Sequence, residues 1–334
     1  MKFLIAGLGS IGRRHLRNLL ALGESDILLY RTRTSTLPDD ELHGFPAETD
    51  LKAALAHQPD AVIVANPTAL HLDVAIPAAL AGCSLLLEKP VSHSLERVDR
   101  LQAALQAGGG RALVGYQFRF HPGLEKAAQL IHSGSLGQPL SVRAHWGEYL
   151  PGWHPWEDYR RGYSARADLG GGVILTLSHP LDYLRWMFGE VSSLWAFTAR
   201  LSGLQLDVED TAEIGLQFES GTLGSLHLDY NQRPPAHSLE VIGSKGTLVW
   251  DNADGDVMLF QSASGDGQEP MALSAFPAPV DFERNSMFRN EMRHFIDVAR
   301  GVTAPVCTLD DGLKALQLAL GALESAKEGK MWKS

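Results

Sequence analysis

The sequence predicts two α/β domains: a doubly wound parallel sheet over residues 1–121, then an α+β domain with an open, mostly antiparallel sheet over residues 122–334. Three observations carry that expectation. The first third of the chain alternates short, continuously apolar runs with helical periodicity, the pattern of strands covered on both faces by helices. After Pro122, strand-like runs follow one another through short turns, as in an antiparallel sheet. A length of 334 residues suits two cores, at roughly 150 residues per domain.

Phe3-Leu4-Ile5-Ala6 reads as the first strand, and Ile11, Leu16, Leu19 and Leu20 as the apolar face of the helix behind it. Asp26–Tyr30 is the second strand. Ala61–Val64 is another, followed by a helix through Leu72, Val74, Ala75, Ala79 and Leu80. Ser84–Leu87 and Ala112–Val114 complete the set. In the second domain strands run from about residue 191 to 260, among them Ile214–Phe218 and Leu223–Leu228 around a Gly221-Thr222 turn. Helices are expected near residues 178–188, 283–299 and 310–326. Trp195 and Trp250 fall on strands and are assigned to the core, and Ser262–Gly267 to an exposed hairpin loop. There is no internal repeat.

Composition narrows the function. Hydrophobic residues at 45% and charged residues at 20% exclude a disordered chain. A net charge of −10 argues against a nucleic-acid partner, because neutralising phosphates takes clustered Lys and Arg. Cys83 and Cys307 are too few for a disulfide framework or a cysteine zinc site, and no metal site is expected. The N-terminal apolar run stops at Gly7 and meets Arg13-Arg14-His15, unlike a signal peptide. No run approaches roughly 18 apolar residues, so a cytoplasmic protein without a membrane partner is expected.

Gly7-Leu8-Gly9-Ser10-Ile11-Gly12 is a G-x-G-x-x-G. Alone it is a weak signal in a chain with 33 glycines. Here it starts where the first strand ends and opens the first helix. In that context Gly7 permits the tight turn, Gly9 lets backbone approach a pyrophosphate, and Gly12 allows close helix–strand packing. The pyrophosphate would rest on N–H groups at the positive end of the helix, near Ser10 and Ile11. The competing reading is a turn that only joins strand to helix; the context favours a dinucleotide and hence a Rossmann domain. Where NAD-binding units place an acid for the ribose 2′-hydroxyl, this chain reads Arg31-Thr32-Arg33-Thr34, with no carboxylate before Asp39. Two guanidiniums and two hydroxyls suit a 2′-phosphate, which favours NADP over NAD. The alternative is a solvated basic loop, or Arg31 stacked on adenine in either cofactor.

Further motifs follow in order. They are Val62-Ile63-Val64-Ala65-Asn66-Pro67-Thr68 with His71, then Glu88-Lys89-Pro90, then Gly115-Tyr116-Gln117-Phe118-Arg119-Phe120-His121-Pro122. Gly170-Gly171-Gly172 with His179 and Asp182, and the run Glu240–Thr247, complete them. Together with the glycine turn, the chain resembles the Gfo/Idh/MocA oxidoreductase family over nearly its whole length. The resemblance implies that Asn66, Pro67, Thr68, His71 and Glu88 stand beside the cofactor and that Lys89 is catalytic. A lysine there, its pKa lowered by burial or positive neighbours, exchanges the proton of an alcohol as hydride moves. His179 would assist, its pKa lying near neutrality. The family pattern has an Asp four residues before this His; here Thr176 stands three before it, and a hydroxyl cannot act as the base. Asp182, one turn on, either orients His179 or steadies the helix N-terminus. A helix-start histidine packed in the domain is the competing reading of His179.

Gln117, Arg119, Thr176 and Asp182 are candidate substrate-binding residues. Trp153 and Tyr159 join them from the stretch Tyr149–Arg160, which mixes aromatics with His, Asp and Arg as a polyhydroxylated ligand requires. A loop stapled by its tryptophans explains the same stretch equally well. The reading is an NAD(P)-dependent oxidoreductase interconverting a secondary alcohol and a ketone on a sugar, nucleotide sugar, amino sugar or cyclitol. A redox-neutral glycosidase using tightly held NAD, or a non-catalytic dinucleotide sensor, stays open. A homodimer or homotetramer through the C-terminal sheet is expected, because an open sheet must cover its second face.

Overall fold

A computed structural model describes the chain apart from residues 33–36, 39 and 263–270. In chain order the first elements are β1 (Phe3–Ala6), α1 (Ser10–Ala21), β2 (Ile27–Tyr30), β3 (Ala47–Glu48), α2 (Leu51–Ala56), β4 (Ala61–Val64), α3 (His71–Leu80), β5 (Ser84–Glu88), α4 (Val98–Gly108) and β6 (Ala112–Gly115). Their strands form a parallel sheet in the order β3-β2-β1-β4-β5-β6. Every residue of β1, β4 and β5 is buried, which is why these strands read as unbroken apolar runs. The strand order reverses at β1, and ligands of such sheets bind at the carboxyl ends of strands beside that reversal.

The second group is α5 (Pro122–His132), β7 (Pro139–Gly147), α6 (Val173–Thr176), α7 (His179–Phe188), β8 (Val191–Ala199), β9 (Thr211–Phe218), β10 (Leu223–Asp229), β11 (Ala236–Gly243), β12 (Gly246–Asp251), β13 (Val257–Ser262) and β14 (Met271–Phe276). The chain closes with α8 (Arg284–Ala299), α9 (Leu309–Glu328) and β15 (Trp332–Lys333). The second sheet runs β14-β13-β12-β11-β7-β10-β9-β8-β15 and is antiparallel except where β7 and β10 run parallel. Along β9 buried residues alternate with exposed ones, so one face of the sheet is core and the other is open. Trp250 is fully buried as expected. Trp195 is not: it sits 38% exposed on the open face, because its place on β8 falls on the outward phase of the alternation. The expected Ser262–Gly267 loop lies outside the described residues from position 263 on.

By backbone contacts the chain divides into two compact units. The first is Met1–Gln117 with Ala167–Gly171 and Arg284–Leu316; the second is Phe118–Arg166, Gly172–Glu283 and Gln317–Ser334. By these contacts Arg284–Leu316 returns to the first unit. α8 packs on α1, with Phe288 edge-on to His15 at 6.4 Å and the Asn285 amide donating to Asn18 Oδ1 at 2.9 Å.

Candidate active site

β1 delivers the chain into Gly7, whose φ of +92° is left-handed backbone; a Cβ there would stand 2.4 Å from the Asn66 nitrogen. A Cβ on Gly12 would stand 1.9 Å from the Gly7 carbonyl oxygen. Gly9 differs, since a Cβ there meets nothing within 4 Å. The protein's own packing does not require that glycine, and its bareness leaves room for a ligand. Gly9 caps α1 without a side-chain bond, and the first turn of the helix carries no acid. The positive end of α1 is thus presented to an outside anion, and the cradle fits a pyrophosphate. Past β2, the Arg31 amide donates to the Glu48 carbonyl at 3.0 Å. Arg33 lies outside the described residues, so Arg31 and Thr32 alone of the three can be placed at this strand end.

β5 ends at Glu88 and passes Lys89 into the following loop, whose Lys89–Pro90 peptide is cis. His71, at the start of α3, frames this loop. Its ring nitrogens lie 3.0 Å from the Pro90 carbonyl oxygen and 2.9 Å from that of Asn66, so one imidazole spans both motifs. His71 and Thr68 are both buried, and His71 ties the two loops together. The Asn66 amide donates to the Leu70 carbonyl at 2.8 Å. Burial pushes the Lys89 ammonium down to about 8 against the pull of Glu88.

Glu88 is buried, and its Oε1 lies 2.7 Å from His15 Nε2. Burial opposes its ionisation, but His15 and the charge of Lys89 outweigh that and hold the carboxyl below its ordinary range. Glu291 of α8 joins them, with one polar atom from each of His15, Glu88 and Glu291 lying within 4.8 Å of the others. Neither Glu291 carboxyl oxygen has a hydrogen-bond partner among the described residues. Burial, with the charge of Glu88, pushes its carboxyl well above the ordinary range. The sequence reading missed both His15 and Glu291. The available signal was a carboxylate among Met287, Phe288, Met292 and Phe295, on the buried stripe of a helix.

In the second unit, α6 begins after Gly172, whose φ is +104°. A Cβ there would stand 2.4 Å from Glu209 Oε1, and the Ile174 amide donates to the same oxygen at 3.1 Å. Burial pushes the Glu209 carboxyl up to about 7. Tyr230 is buried, donates to the Ser164 carbonyl at 3.2 Å, and neighbours both Thr176 and Glu209. Trp153 meets Tyr230 edge-on at 5.7 Å. Thr176, Trp153 and Glu209 therefore each neighbour Tyr230, and Glu209 is the carboxylate among them.

His179 opens α7, buried, its ring 5.0 Å from that of Phe118 and 5.5 Å from that of Trp146. Asp182 and Arg119 are both buried and face each other, Nε to Oδ2 at 2.9 Å and Nη2 to Oδ1 at 2.7 Å. The expected substrate-binding pair Arg119 and Asp182 is thus joined to itself by two hydrogen bonds. A buried guanidinium and carboxylate answer first to one another. The Tyr159 phenol oxygen accepts from the Gln205 amide at 3.1 Å, and Gln117 is buried at the end of the first unit's leading segment.

Residues 1–116 match the family model for an oxidoreductase family with an NAD-binding Rossmann fold, and residues 124–249 match the GFO/IDH/MocA C-terminal domain. The chain belongs to the Gfo/Idh/MocA oxidoreductase family. As a Gfo/Idh/MocA protein it is an NAD(P)-dependent oxidoreductase, and its fold class is the one the sequence predicts. It is similar to the myo-inositol 2-dehydrogenase of Thermotoga maritima, with 28% identity over 348 residues, covering 98% of this chain and 97% of that one. It is also similar to the scyllo-inositol 2-dehydrogenase (NAD(+)) of Bacillus subtilis, with 26% identity over 279 residues, 81% and 78% of the two chains. In fold it resembles levoglucosan dehydrogenase solved with NADH and levoglucosan, at a TM-score of 0.87 and 18% identity over 100% of this chain and 99% of that one. No helix among the described residues of this Gfo/Idh/MocA protein is long and apolar enough to cross a membrane.

Proposed function

We propose that this enzyme interconverts a secondary alcohol and a ketone on a cyclitol or sugar, with Lys89 exchanging the hydroxyl proton. The observation that carries this reading is the Glu88-Lys89-Pro90 loop held by His71, with the Lys89 ammonium poised near 8. When bound, NAD or NADP supplies hydride exchange at the reacting carbon; Arg31 and Thr32 favour NADP. Below about pH 8, Lys89 as ammonium donates the proton a ketone reduction requires. Above it, the amine accepts the proton that an alcohol loses on oxidation. His179 is the residue we propose to assist in the proton transfer. Glu209, close to half-ionised at neutral pH, binds substrate hydroxyls beside Thr176. The relatives named for inositol support a cyclitol or sugar as the substrate.

The test is a screen of cyclitols and sugars with NAD and with NADP, read by absorbance of the reduced cofactor, in wild type and Lys89→Met. A turnover that falls roughly a hundredfold or more while dinucleotide affinity persists is the expected result. A variant within a few-fold of wild type removes Lys89 from the mechanism.

A further inference from the structure

Strands β7 and β10 run parallel with His145 opposite His227 and Gly147 opposite Asp229, and β9 sets Glu213 opposite His227. The two-residue period puts all of these on the open face of the second sheet. The imidazoles of His145 and His227 stack at 4.7 Å with 17° between their planes. His227 Nδ1 lies 2.6 Å from Glu213 Oε1, and its Nε2 lies 3.0 Å from Asp229 Oδ2. Asp229 Oδ1 accepts from the amides of Asn231 and Gln232 at 2.5 and 2.6 Å, which fixes the carboxylate. Gly147 makes room for it, because a Cβ there would stand 2.1 Å from Asp229 Oδ2.

His145 separates this cluster from an ordinary ion pair. Its Nε2 is buried without a hydrogen-bond partner among the described residues, while Gln232 hydrogen-bonds the ring. A histidine between two carboxylates needs no second imidazole stacked against it, and a buried unpartnered nitrogen is a cost.

We propose that His145 Nε2, His227 Nε2 and Asp229 Oδ2 form a binding site for a divalent transition-metal ion of the zinc type. One ligand atom from each residue lies within 4.8 Å of the others, and a turn of the stacked imidazoles with a contraction brings these atoms to the distances of about 2.0–2.2 Å from the ion that zinc requires. Two imidazoles and a carboxylate suit Zn²⁺ or Co²⁺ rather than Mg²⁺ or Ca²⁺. Glu213 accepts from His227 Nδ1–H and fixes the tautomer that turns Nε2 to the ion; Gln232 orients His145. The proton shared between His227 Nε2 and Asp229 leaves to solvent as the ion enters. A shallow pocket of about 390 Å³, lined by Thr211, His227, Asp229, Asn231, Gln232 and Arg233, gives access and room for a water ligand. The sequence reading looked for cysteine ligands and could not see this set, because its members come from different strands.

The test uses tag-free, full-length protein stripped of metal, titrated with Zn²⁺ by calorimetry and with Co²⁺ by visible absorption. One equivalent per chain and the ligand-field bands of four-coordinate Co²⁺ are expected, with affinity weakened at least about tenfold in His145→Gln. Glu213→Gln weakens Zn²⁺ roughly ten- to a hundredfold, and its metal-free unfolding midpoint is read alongside so that a loss of folding is told apart from a loss of binding. Absence of stoichiometric binding, or equal affinity in wild type and both variants, overturns the proposal.

Discussion

Lys89 is held where its own charge is disfavoured, and this has two measurable consequences. The oxidation rate rises with pH through about 8, and this limb disappears in Lys89→Met. Because the folded pKa lies below the unfolded value of about 10.4, the unfolded chain binds more protons between them, and stability rises with pH across that window. Lys89→Met therefore has a higher thermal midpoint than wild type at pH 7, and the gain vanishes above about pH 10.4. Asp182 behaves differently. Asp182→Asn leaves the Arg119 guanidinium buried without its charge partner and costs about 3–5 kcal/mol of stability, read in thermal or urea unfolding. Glu209→Gln spares stability but raises KM and removes a pH dependence near 7. The Glu88-Lys89-Pro90 loop was legible because its motif is local. Glu209 and His15 were not, because their contacts lie 35 and 73 positions away in sequence.

At the scale of elements, the first sheet was readable from its continuously apolar strands, a signal that needs no knowledge of the partner. β7 was not, since it leaves the first strand-rich stretch, enters the second sheet between β11 and β10, and makes the parallel pair there. Nothing local in Pro139–Gly147 announces that insertion. We propose that cofactor choice rests at the end of β2. If Arg31 and Arg33 hold a 2′-phosphate, Arg31→Ala with Arg33→Ala weakens NADP at least about tenfold more than NAD, each charge-assisted bond being worth about 1.5–3 kcal/mol. Equal loss for both nucleotides in a fluorescence titration assigns the pair to the adenine or the loop.

At the scale of the molecule, the open face of the second sheet carries Trp195, Phe197 and Leu223 at 38%, 68% and 57% exposure. Such a patch fits the proposed self-association through this sheet. Trp195→Ser with Phe197→Ser is expected to lower the mass seen in sedimentation to that of a smaller species, without loss of secondary structure. The return of Arg284–Leu316 to the first unit has a consequence in time. The Val114 amide on β6 donates to the Cys307 carbonyl at 3.1 Å, and Gly312 lies so close to Val91 and Val114 that a Cβ would approach each to 2.8 Å. A growing polypeptide therefore releases the whole glycine turn and Lys89 from the ribosome long before the segment that closes their sheet edge exists. The nascent N-terminal half keeps that sheet edge uncovered until Arg284–Leu316 is translated. Chains arrested before Arg284 emerges should be cut readily by protease, and protection should appear once Leu316 has cleared the exit tunnel.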